Sequence, residues 1–111
     1  MTTGLRDLGP RDVKYAAIAA TTTSGDNTIV AAVSGKRIVV LSYTCVSAGN
    51  SSLTWESNAT TALSGAMNTQ AMDQIVGGYT PDGHFQTAIG ESLTMAIGGN
   101  AYNGHLSYIE V

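Results

Sequence analysis

The sequence predicts an all-β protein: a two-sheet β-sandwich, jelly-roll-like, with about eight short strands and an extended N-terminal arm. Two patterns predict this fold. Polar and apolar residues alternate in most segments from residue 13 onward, which is the period of a strand with one buried face. Turn-forming clusters of glycine, asparagine, serine and proline separate these segments at intervals of about ten residues, and no segment has the period of a stable helix.

The strands are clearest where the alternation is strict. One segment places Leu53 and Trp55 on the same face, and a later one places Leu93, Met95 and Ile97 together. The first segments are rich in β-branched and small residues, which favour strands over helices. The predicted strands cover residues 13–18, 28–33, 38–46, 52–56, 84–87, 91–97 and 105–111.

Segment 38–46 begins as a continuous apolar run and then alternates, which is typical of a central strand covered on both faces at one end. Its Cys45 is the single cysteine of the chain, so we interpret it as a small core hydrophobe and not as a reactive thiol. In the last segment the apolar positions change faces between Tyr108 and Ile109. A β-bulge or a subunit contact near Tyr108 would accommodate this change.

The strongest predicted turn is 81–83, because proline presets one turn dihedral and glycine accepts a positive one. Residues 65–72 predict at most one turn of helix, since Gly65 and Asn68 disfavour a longer one.

Residues 1–11 differ from the rest and predict an extended arm ahead of a domain that covers 12–111. They hold two isolated leucines, Leu5 and Leu8, among mixed charges, with no sustained period. A frayed terminus is one interpretation. Docking of the two leucines onto a neighbouring subunit is the other.

Composition indicates which partners to expect. Charged residues make up only 12 % of the chain, so the exposed edges of the predicted sheets have little charge to protect them and a symmetric homo-oligomer is expected. The net charge is −3 and the basic residues form no tract, which argues against nucleic-acid binding. No apolar run approaches the roughly 20 residues of a membrane span. The N-terminal residues lack a secretory signal, so we expect synthesis in the cytoplasm, or export by some other route.

No catalytic residue, metal or cofactor is predicted. His84, His105 and Glu91 are the best candidates for a metal site, but two lone histidines are too few donors for stable zinc or iron. No serine lies in a nucleophile-elbow motif. We therefore predict that the chain is not an enzyme. Tyr79 and Tyr102 are expected in loops, where a ring could stack on a sugar, although buried or interfacial rings are more frequent.

Several segments carry a likeness to a known class of protein. They cover 36–43, 53–57 and 63–67 in the first half, and 78–88, 90–95 and 104–111 in the second. In these segments the chain resembles small virion proteins of tailed bacteriophages. The likeness is a pattern of strand and turn residues, and it does not include residues 1–11.

The resemblance implies a capsid cement, or decoration, protein on the surface of the virion, made in the host cytoplasm. Such proteins often form trimers at three-fold positions and clamp neighbouring capsomers with terminal arms, so the expected partners are the major capsid protein and other copies of this chain. A domain of a head or tail fibre that recognises host glycans, through Tyr79 and Tyr102, is the alternative. In the arm, Leu5, Leu8 and Pro10 would make apolar contacts with the capsid. Arg6, Asp7 and Arg11 would set the register of the arm against charges of the capsid.

Overall fold

The computed structural model describes residues 12–21 and 25–111, and its regular structure within them consists of β-strands. The ten strands are β1 (Lys14–Ala20), β2 (Gly25–Val30), β3 (Ile38–Ser47), β4 (Ser51–Ser57), β5 (Thr61–Ala62), β6 (Met67–Thr69), β7 (Gln74–Gly77), β8 (Phe85–Gln86), β9 (Leu93–Ile97) and β10 (Tyr102–Glu110).

The strands form two antiparallel sheets of five strands each. Sheet I has the order β1-β10-β3-β7, with β8 also paired to β3. Sheet II has the order β2-β9-β4-β5, with β6 also paired to β4. In sheet I, β7 and β8 lie along the same side of β3, and in sheet II, β5 and β6 lie along the same side of β4. Each pair thus acts as one interrupted edge strand. The predicted two-sheet β-sandwich is confirmed. This strand order is compatible with a jelly roll, which stays a prediction.

The core lies between the two sheets. The predicted inward positions of β4 and β9 are all buried there, together with residues of β1, β3 and β10. Burial of each large apolar side chain contributes about 1.5–3 kcal/mol, so the contacts between sheets are the main source of stability. The fully buried side chains with the largest volumes include Trp55, Tyr102, Ile18, Ile38, Leu41, Leu53, Leu93, Met95 and Leu106.

One of the two predicted alternatives, a β-bulge near Tyr108, is present, and it lies in β3 and not in the last strand itself. Ser107 pairs with Ser42 and Tyr108 pairs with Val40, so Leu41 is the extra residue of β3 at this point. A second, smaller apolar cluster of Val39, Leu41 and Ile109, with Val13 against it, lies at this end of sheet I. Apolar clusters on both faces explain why β3 begins as a continuous apolar run.

The predicted turn at 81–83 also forms. Gly83 has a φ of +86°, and its N–H donates to the Thr80 carbonyl at 3.1 Å.

Several predicted boundaries are wrong. β2 starts and ends three residues before the predicted 28–33, and β10 starts at Tyr102 instead of residue 105. Residues 67–69 form β6, where at most one helical turn was expected. The short strands β5 and β7 were not predicted. Segments of two to four residues are too short to show a period, and only pairing with β3 or β4 makes them strands.

Candidate interaction surfaces

The predicted arm lies outside the described residues. The positions proposed there for partner contacts, Leu5, Arg6, Asp7, Leu8, Pro10 and Arg11, all fall within residues 1–11. Their role stays a prediction. The described chain begins at Asp12, two residues before the start of β1.

The two tyrosines proposed for sugar binding differ in exposure. Tyr79 lies between β7 and β8, and it is 62 % exposed. Tyr102 is the first residue of β10 and is 0 % exposed, so its predicted place in a loop is wrong. Its ring belongs to the core, and its hydroxyl shares a hydrogen bond of 2.7 Å with Thr69 Oγ1. A ring buried in this way offers no face to a sugar, whereas Tyr79 is largely exposed.

The three candidate metal ligands have separate surroundings. Glu91 Oε1 accepts a 2.6 Å hydrogen bond from Ser57 Oγ. His84 Nε2 donates to the Gly78 carbonyl at 2.6 Å, and His105 is exposed on β10. Across residues 12–21 and 25–111, no group of three potential ligands is close enough to hold a metal ion.

Cys45 lies in the core, as the sequence predicts, with a side chain that is 0 % exposed. Burial raises the pKa of its thiol to about 11. The group is therefore a neutral thiol at physiological pH, and it packs as a small apolar side chain.

An aromatic cluster of Tyr43, Trp55, His84 and Phe85 joins the two sheets near their β7–β8 and β5–β6 edges. The Tyr43 and Trp55 rings meet edge to face with centroids 5.4 Å apart, and Phe85 lies 5.7 Å from Trp55. Tyr43 packs against Gly77, where a Cβ would lie 2.8 Å from two atoms of its ring. Trp55 Nε1 is buried without a hydrogen-bond partner among the described residues. The cluster stabilises the sandwich on this side.

Two carboxyl groups meet on the outer face of sheet II. Asp26 and Thr54 both pair with Ala96 of β9, and Glu56 pairs with the next outward residue of that strand, Thr94. Burial raises the pKa of Glu56 to about 7, and a hydrogen bond and charge repulsion from Asp26 act in the same direction. The Glu56 carboxyl therefore titrates near neutral pH.

Among the described residues, the outward positions within the paired strands of sheet I hold no Asp, Glu, Lys or Arg. The register of β1, β10, β3 and β7 lines up its outward residues in rows that run across the sheet. Around His105, which is exposed, these side chains are small or neutral. We call this surface the uncharged face, and its rows are Ala19, Asn103, Val46 and Gln74; Ala17, His105, Thr44 and Val76; and Tyr15, Ser107 and Ser42.

The uncharged face has exposed apolar side chains at both edges. Tyr15 of β1 is 76 % exposed and Val76 of β7 is 61 % exposed. In contrast, the outer face of sheet II carries the carboxyl groups of Asp26 and Glu56. No property of a single segment pointed to the uncharged face, because its residues come from four strands that are far apart in the chain.

In comparisons with known proteins, no family model, curated protein or solved structure matches this chain. Within the described residues, no helix has the length and apolar character needed to cross a membrane.

Proposed function

We propose that this chain is a structural protein of a tailed-bacteriophage virion, without enzymatic activity, that acts as a capsid cement protein. It binds between capsomers on the surface of the assembled head, as a homo-oligomer for which the resemblance implies a trimer. The proposal rests on the resemblance of residues 36–111 to small virion proteins.

One structural observation supports a role in protein contacts. The sandwich exposes large apolar side chains on a surface with few charges: Tyr15, Met72, Val76, Tyr79 and Ile89 are each more than half exposed. Such side chains are poorly placed in water and favour burial against another protein. Few charges also reduce the cost of removing water from that surface.

The mechanism of a cement protein is mass action. A subunit that binds the assembled shell, and not the separated capsomers, stabilises the shell increasingly as its free concentration exceeds its dissociation constant. An oligomer that contacts several capsomers gains further, because after the first contact the others form at high effective concentration. The predicted arm would supply such contacts at each copy.

The test is binding to phage heads. The purified chain is mixed with expanded heads that lack it, and the heads are pelleted and then heated. We expect saturable binding and a higher temperature of head disruption. A variant that lacks residues 1–11 should keep its β-sheet circular dichroism and lose binding. Absence of binding by the full chain would refute the cement function, and full binding by the shortened chain would refute only the role of the arm.

Recognition of host glycans by a fibre domain is the second candidate, and the exposure of Tyr79 is the observation that favours it. Since Tyr102 is buried, Tyr79 would have to act without it. A glycan array compares the natural chain with the Tyr79→Ala variant. Binding that the variant loses would support this candidate, and an array without specific binding would exclude it.

A further inference from the structure

We propose that the uncharged face binds the same face of a second copy of this chain, so that two sandwiches pack sheet against sheet. This inference concerns self-association and does not rest on the cement function.

Charge is the first argument for a second copy as the partner. The chain has a net charge of −3, so two copies repel each other wherever their charged groups approach. The charged residues within the strands of sheet I are Lys14 and Glu110, which form an ion pair at one end of the sheet with 3.5 Å between Nζ and Oε1. The rows of the uncharged face contain neither of them. Copies that meet through this face therefore avoid like-charge contacts and bury no unpaired charge.

Shape is the second argument. A two-fold axis that runs along the strands, between β10 and β3, brings β1 of one copy over β7 of the other. The middle row then places Ala17 opposite Val76 of the second copy, and His105 opposite Thr44 of the second copy. A small residue thus meets a branched one at both edges. A ring nitrogen and a hydroxyl, which can share a hydrogen bond, meet at the centre.

The area of the face sets the strength of the contact. Four strands spaced about 4.8 Å apart, with two full outward rows and a third row that spans only β1, β10 and β3, give a face of at most roughly 19 Å by 20 Å. Two copies together would bury roughly 800 Å² by this measure, which is below the roughly 1,200 Å² of standard stable complexes. The pair should therefore be weak and depend on concentration.

The experiment measures the mass of the full chain by sedimentation equilibrium at increasing concentration. We expect the mass to double as concentration rises, either from one copy of 11.4 kDa to two or, if the chain is already a trimer, from three copies to six. Ala17→Lys places a charge on the uncharged face and should weaken this step at least about tenfold, because a buried unpaired charge is strongly destabilising. Val76→Lys places a charge at the opposite edge of the face and should weaken association in the same way. With this second variant, the test does not depend on correct folding of Ala17→Lys alone.

Thr28→Lys is the matched control. Thr28 is an exposed residue on the edge strand of the other sheet, as Ala17 is on β1. This variant should associate as the natural chain does. A mass that stays constant with concentration would overturn the proposal. The proposal would also be overturned if Thr28→Lys weakened association as much as Ala17→Lys and Val76→Lys do. A constant trimer that still binds phage heads would overturn this inference alone and leave the cement function intact.

Discussion

The close approach of β10 to β3 makes a specific prediction for Gly104. This residue pairs with Ile18 on one side and with Cys45 on the other. A Cβ at this position would lie 2.7 Å from Cys45 Cα and 2.8 Å from the carbonyl carbon of Thr44, and closer still to the Thr44 carbonyl oxygen. These are backbone atoms of the central strand of sheet I, so no side-chain rotation can relieve the overlap.

Gly104→Ala should therefore destabilise the fold strongly. Overpacking that side chains can absorb costs about 1–3 kcal/mol. Since β10 would have to move away from β3 here, we expect the free energy of unfolding to fall by about 3 kcal/mol, the upper end of that range. For a domain of this size that loss lowers the melting temperature by about 12 °C. Urea denaturation monitored by Trp55 fluorescence measures the free energy of unfolding.

Gly65→Ala is the control for this prediction. No atom lies within 4 Å of a Cβ built at Gly65, and its φ is not positive. The substitution should be neutral or stabilise by up to about 1 kcal/mol, because alanine restricts the unfolded chain. If the alanine variants at positions 104 and 65 unfold at the same urea concentration, the two strands are not packed as closely as described.

Substitutions at three further positions test the core and the Glu56 carboxyl. Ser57→Ala removes the hydroxyl that donates to Glu91 at 2.6 Å and accepts from the Ala88 N–H at 3.1 Å. The free energy of unfolding, measured by urea denaturation, should fall by about 1–3 kcal/mol. An unchanged midpoint would show that water replaces these bonds. Trp55→Phe removes a buried N–H that has no partner among the described residues but also removes side-chain volume, so its net effect on the free energy of unfolding should be within about 1 kcal/mol. Trp55→Ala should lower that free energy by about 3–5 kcal/mol. Equal losses of stability in the two variants would refute this expectation. Glu56→Gln should raise the melting temperature at pH 8 but not at pH 4. The pKa of Glu56 rises on folding from 4.5 to about 7, so the stability of the natural chain falls as pH rises through this window. Because Glu56 lies near the surface, the stability gained by the Gln variant at pH 8 should not exceed about 1 kcal/mol. An equal gain at both pH values would contradict the raised pKa.

Local sequence patterns are sufficient to predict the strand character of the chain and most inward positions. Alternation is a local property: in β4 and β9 each residue's face follows from its neighbours, and Leu53, Trp55 and Met95 are buried as predicted. The apolar start of β3 and the change of face at Tyr108 were also visible, because each disturbs a regular pattern within one segment.

Other features depend on pairing between distant segments and follow only from the folded chain. Tyr102 lies among asparagine and glycine residues that favour a loop, but pairing with β1 and β3 on both sides extends β10 to include it. β5 and β7 become strands only beside β4 and β3. The uncharged face likewise exists only because the register brings together Ala17, His105 and other neutral residues of four strands. A one-residue shift of one strand in that register would send its side chains to the opposite face, and the loss of its apolar residues from the core opposes such a shift.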